Sequence, residues 1–145
     1  MFAHILIGTD GSDFADKAVD QGLALAKVLG SKVTVAKVTE PWTMAVSGEW
    51  AIAFPVEEYE EVAAADAKTI LSRVAEKAKA AGVACETVHI KDEFVAEGLV
   101  EAAKTRGCDL IVMASHGRRG LVKFVLGSEA TRVLSHSTIP VLICR

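Results

Sequence analysis

Five short apolar runs, at 3–9, 32–38, 85–90, 109–114 and 139–144, alternate along this 145-residue chain with four longer segments in which apolar residues recur at helical spacing. Few folds accommodate that alternation. Parallel strands need long crossovers, normally helical, and those crossovers are right-handed, so the helices come to lie on both faces of one sheet. The order β-α-β-α-β-α-β-α-β therefore predicts an α/β class, doubly wound, with a five-stranded parallel sheet.

The first helical segment carries Ala15, Ala18, Val19, Gly22, Leu23 and Ala26 on one face, with Ser12 or Asp13 placed to cap its start and Gly30 to stop it. A second stripe, Ala63, Ala67, Ile70, Leu71, Val74 and Ala78, predicts a long helix over 56–81, ended by Gly82. Residues 94–105 and 128–135 supply two more. Between Thr39 and Pro55 lies a connection longer than compact domains usually use, with Pro41, Trp42, Gly48 and Trp50 in it. It is expected to be a long loop, either a functional flap or partly mobile, with Trp42 and Trp50 covering a ligand, meeting a partner or simply packing within the loop.

Length and composition narrow the function. Residues 1–145 are expected to form one domain, and the 51% apolar content suffices for a core. The 16 Lys+Arg against 19 Asp+Glu leave a net charge of −3, with no basic field for nucleic acid or an anionic membrane. No run is long enough to span a bilayer, and no basic region precedes the first apolar run as in a signal peptide. Cys85, Cys108 and Cys144 are odd in number, far apart and set in apolar stretches. They are expected to be buried thiols in a reducing cytoplasm.

In an open parallel sheet a ligand binds beyond the C-terminal strand ends, where the winding reverses. That rule selects Gly8-Thr9-Asp10-Gly11-Ser12, Val38-Thr39-Glu40 and the stretch from Ser115 to Ser128. The last has the most legible chemistry. Gly117, Gly120 and Gly127 allow close backbone approach, Gly127-Ser128 open a helix whose free N–H groups favour an anion, and Arg118, Arg119 and Lys123 add positive charge. The spacing is neither that of a P-loop nor that of a dinucleotide fingerprint.

Taken together, Gly8-Thr9-Asp10-Gly11-Ser12, Met113-Ala114-Ser115-His116-Gly117, Gly127-Ser128 and the closing Ile139-Pro140-Val141-Leu142-Ile143 make the whole chain resemble a universal stress protein of the single-domain, ATP-binding type. That family's nucleotide pattern is Gly, two residues, Gly, nine residues, Gly, then Ser or Thr. Here it reads Ala114, Ser115-His116, Gly117, residues 118 to 126, Gly127, Ser128, with alanine in place of the first glycine.

The resemblance implies a Rossmann-like sheet of order 3-2-1-4-5, related to the adenine nucleotide alpha hydrolases. It also implies an ATP site at the switch point between the first and fourth strands; separately, Mg²⁺ carried in on the phosphates is expected. By the same resemblance Asp10 bonds the ribose, beside Thr9, while the backbone near Val38, with Gly8 and Met113, frames the adenine. Gly117, Gly127, Ser128 and the amide of Glu129 hold the phosphates, near Ser115 and His116. Arg118 and Arg119, with Gly120 between them and the helix, match no fixed position of the pattern and are expected as supplementary phosphate ligands.

The resemblance further implies a homodimer through the last strand. The function expected is a cytoplasmic stress-response module whose nucleotide occupancy is read by protein partners, with ATP hydrolysis at most slow. Ala114 supports an alternative, a dimeric scaffold that binds no nucleotide. Adjacent Ser115 and His116 have no orienting carboxylate nearby in the sequence and lack the nucleophile-elbow spacing, so no hydrolytic dyad is expected. The four histidines show no metal-ligand spacing. For Asp10 an Asx turn or a helix cap is the competing role.

Overall fold

The computed structural model describes residues 1–46, 48–49, 53–117 and 125–145. The chain runs β1 (His4–Gly8), α1 (Asp13–Leu29), β2 (Lys32–Thr39), α2 (Trp42–Ala45), α3 (Val56–Ala81), β3 (Cys85–Lys91), α4 (Val95–Thr105), β4 (Leu110–Ala114), α5 (Ser128–His136) and β5 (Val141–Cys144). The five strands form one parallel sheet of order β3-β2-β1-β4-β5. Winding therefore proceeds from β1 outward to β3, then crosses back to β4 on the other side of β1. In sheets wound this way a ligand crevice is expected where the winding reverses, here beyond Gly8 and Ala114.

Both central strands, HILIG and LIVMA, are buried at every position, as strands covered on two faces must be. Alternation divides their side chains between two cores. Ile5, Ile7, Val33, Val35 and Val112 pack with α1 and α3, through Val19, Leu23, Leu71 and Val74. Leu6, Ala36, Val38, Ile111 and Met113 pack with α4 and α5, through Leu99, Ala103, Ala130 and Val133. Helix α1 lies close on the sheet because Gly22 has no side chain: a Cβ there would sit 2.6 Å from Ile7 Cδ1. Its ends follow the expected chemistry, with Ser12 Oγ accepting from the Ala15 amide and Gly30 in the left-handed region at φ 69°.

The structure corrects three expectations. The connection after β2 is not structureless, since it contains α2 and is tied to its surroundings by Trp42 Nε1 donating to Phe54 O (2.9 Å) and Tyr59 Oη donating to Glu40 O (2.8 Å). Trp50 lies outside the described residues. The last strand begins at Val141 rather than residue 139, because Pro140 has no N–H to donate and contributes only its carbonyl, to Ile111 N. Cys108 and Cys144 are buried, but Cys85 is only partly so, standing on the edge strand β3.

Candidate functional site at the switch point

The loop leaving β1 is built to hold a carboxylate in place. Thr9 N donates to Ala36 O of β2 at 3.0 Å, continuing the ladder by one residue, and Thr9 Oγ1 then accepts from Gly11 N at 3.1 Å. Asp10 Oδ1 accepts from Ser12 N at 2.9 Å, the Asx turn that competes with the ribose-binding role. From α3, Arg73 bonds Asp16 of α1 at 2.9 Å and reaches Gly11 O at 3.4 Å, so the long helix steadies the same turn.

The loop leaving β4 comes to meet it. Ser115 N donates to Cys144 O at 2.8 Å, and Ser115 O accepts from Gly127 N at 2.8 Å, which folds the start of α5 back onto the strand end. Two glycines make this approach possible. A Cβ on Gly127 would lie 2.7 Å from Ser115 O, and one on Gly117 would lie 2.6 Å from Asp10 Oδ2. The Asp10 carboxylate and the Gly117 backbone, distant in sequence, are thus adjacent in space.

Gly127 occupies the N-cap position of α5 and has no side chain to cap it, so the first-turn amides of Ser128 and Glu129 are not satisfied from that residue. Such a helix start suits an anion. Ser128 is exposed and Glu129 half-buried. Met113 and Val38 are buried in the core on the α4/α5 side, and the Val38 carbonyl accepts from Lys37 Nζ at 2.8 Å. Gly8 packs on α4, where a Cβ would lie 2.9 Å from Leu99 Cδ1.

Ala114 is 8% exposed, and its methyl belongs to the core on the α1/α3 side, with Val112 and Cys144. The departure from glycine is absorbed by packing. Ser115 Oγ and His116 Nδ1 lie 3.1 Å apart, a convergence not expected of neighbours, and both residues are buried. The His116 ring also leans on Phe14, with centroids 6.0 Å apart. Sequence reasoning missed Phe14, whose only signal was an aromatic residue in the first turn after the Asp10 loop. Arg118, Arg119 and Gly120, expected at the phosphates, lie outside the described residues, as does Lys123. Among the described residues, no group of His, Cys, Asp or Glu is arranged to hold a metal ion, and no helix is long and apolar enough to cross a membrane.

Residues 1–145 match the model of the universal stress protein family. The chain is 34% identical over 149 aligned residues to universal stress protein YxiE of Bacillus subtilis, with 100% of both chains covered. It is 30% identical to universal stress protein MJ0531 of Methanocaldococcus jannaschii, covering 100% of this chain and 83% of that protein. Among solved structures, a universal stress protein in complex with cAMP is 28% identical with a TM-score of 0.74, covering 99% of this chain and 97% of that one. Universal stress protein UspA from Lactobacillus plantarum shares the fold at a TM-score of 0.85 and 21% identity, covering 99% and 98%. The chain belongs to the universal stress protein family.

Proposed function

We propose that this universal stress protein binds an adenine nucleotide, ATP with Mg²⁺, in the crevice between the β1 and β4 loops. One observation carries the reading: the Asp10 carboxylate lies against the Gly117 backbone, so close that a Cβ there would clash with it, 2.6 Å from Oδ2. A carboxylate and a bare backbone facing each other at a switch point suit a ribose hydroxyl and the phosphate that follows it. The relative solved with cAMP supports the nucleotide class.

In this reading Asp10, with Thr9 at its base, accepts from the ribose hydroxyls. The adenine lies against the backbone of Gly8, Val38 and Met113. The phosphates meet the backbone of Gly117, Gly127, Ser128 and Glu129, with Ala114, Ser115 and His116 forming the floor. On sequence grounds alone, Arg118 and Arg119 are assigned as supplementary phosphate ligands, with Gly120 beside them. When bound, Mg²⁺ supplies charge neutralisation on the phosphates.

The protein acts as a binding module, with hydrolysis at most slow. Ser115 and His116 are buried, with the Ser115 carbonyl already engaged by Gly127 N. A role in shaping the turn accounts for both. Strand β5 lies at the edge of the sheet, with Leu142 40% exposed. An apolar edge of this kind calls for a partner strand, and we assign it to a cytoplasmic homodimer whose surface other proteins read.

Calorimetric titration with ATP and Mg²⁺ tests the reading, using Asp10→Ala and Gly127→Val as controls. The scaffold alternative predicts no heat with any adenine nucleotide and an unchanged dimer mass by light scattering. The packing of the Ala114 methyl into the core favours the nucleotide reading over it.

A further inference from the structure

Helices α4 and α5 are cross-linked at their N-terminal ends. Helix α4 begins after Phe94, which has no side-chain cap to offer, and its second amide, Ala96 N, is fully buried. The acceptor comes from the other helix: Glu129 Oε2 takes the Ala96 N–H at 3.1 Å. One turn further along α5, Arg132 bonds Glu97 and lies over the Phe94 ring at 5.8 Å. Glu129 is also the second residue of α5, where the proposed site has its phosphate amides. Its side chain therefore caps α4 while its backbone belongs to the anion site of α5.

We propose that Glu129 is a positioning residue that couples phosphate occupancy at the start of α5 to the order of the α4 N-terminus. A carboxylate in a first helical turn is drawn to that helix's own free amides. Here the Ala96 N–H holds it away, so the start of α5 remains open to an external anion. A phosphate bound to those amides fixes the Glu129 backbone, and with it the side-chain oxygen that accepts from Ala96 N, which tightens the cap. By linkage, a tighter cap favours the phosphate equally. Phe94, 40% exposed at the start of α4, is the surface feature this coupling orders.

The inference rests on the nucleotide reading and concerns only its phosphate portion, which makes the two separable. Glu129→Gln and Glu129→Ala remove the same charge and differ in whether an acceptor for Ala96 N remains. Titration with ATP and with adenosine should show the alanine variant binding ATP about three- to tenfold more weakly than the glutamine variant, with adenosine affinities alike. Hydrogen exchange at the Ala96 amide should slow when ATP is added to the wild-type chain, and show no such change with adenosine or in the alanine variant. Equal ATP affinities for the two variants, adenosine weakened in parallel with ATP, or exchange at Ala96 indifferent to ATP would overturn the coupling. A wild-type chain that binds no adenine nucleotide would overturn the reading beneath it, a result distinct from all three.

Discussion

The two ends of the sheet are built from different materials. At the N-terminal end, side chains close the structure: His4 Nε2 and Thr34 Oγ1 lie 2.8 Å apart, Thr34 Oγ1 donates to Glu86 Oε1 at 2.8 Å, and Arg106 Nη1 reaches the same oxygen at 2.8 Å. The Asp109 carboxylate takes the amides of Ala3 and His4 at 2.9 and 3.0 Å. At the C-terminal end, Gly117 and Gly127 let the two loops meet without side chains of their own. One end is closed by side chains, and in the proposed reading the other offers its backbone to a ligand.

The donor directions at the closed end follow from charge. The hydrogen bond from Thr34 and the nearby Arg106 hold the Glu86 carboxyl below the usual carboxylate range, so Glu86 accepts. Thr34 must then spend its one proton on Glu86 and accept from His4 Nε2–H, which makes His4 the neutral Nε2 tautomer. Burial, with Lys32 nearby, pushes the His4 pKa down and favours that neutral form.

The comparison breaks most visibly at Gly127. A valine there drives its Cβ to 2.7 Å from the Ser115 carbonyl, a backbone atom that cannot swing aside. ATP binding should fall more than about a hundredfold by calorimetry, through displacement of the first turn of α5. At the opposite end, Thr34→Val leaves the His4 Nε2–H without its acceptor in a buried site. It should cost about 1–3 kcal/mol in urea unfolding while leaving ATP affinity unchanged in the folded protein. A large change in ATP affinity from Thr34→Val would mean that the two ends are not independent.

Smaller effects sharpen the contrast. Asp10→Ala removes the proposed ribose acceptor and the Asx-turn bond to Ser12 N, and should weaken ATP about tenfold. Because its folded-state pKa is lowered, His4 contributes stability that is full above its unfolded value near 6.5 and is lost as the pH falls below that value. His89, lowered by burial and by Lys91 and Lys37, acts with the same sign. Urea midpoints measured at about pH 7.5 and about pH 5.5 should therefore drop on acidification, and His4→Gln should reduce the drop. Least affected of all is the exposed Lys77–Asp20 pair joining α3 to α1, where Lys77→Ala should cost under about 0.5 kcal/mol.

Local pattern carried the fold a long way. Helix α3 has the bounds its stripe predicts, Val56–Ala81, because many turns of periodicity sit between Pro55 and a left-handed Gly82 at φ 72°. The four-residue α2 is too short to show a period. Nor does an apolar run announce that it will be an edge, and so Cys85 was expected to be buried. The strand order was legible only through the family resemblance, since alternation does not say which strands are neighbours. Within the site, Asp10, Gly117 and Gly127 stood out by residue type and by place after a strand. The bonds that organise their surroundings did not, because Glu129 meets Ala96 across 33 positions and His4 meets Thr34 across 30. No local pattern encodes such pairs.

The most direct test of the contrast between a closed end and an open one is titration of the wild-type chain with ATP and Mg²⁺, after co-purified nucleotide has been removed under denaturing conditions and the protein refolded. Binding at micromolar affinity or tighter, one nucleotide per chain and abolished by Gly127→Val, is the predicted result. No heat, with no nucleotide found in the protein as purified, would contradict it and leave the crevice between Asp10 and Gly117 as a turn-packing feature of a scaffold.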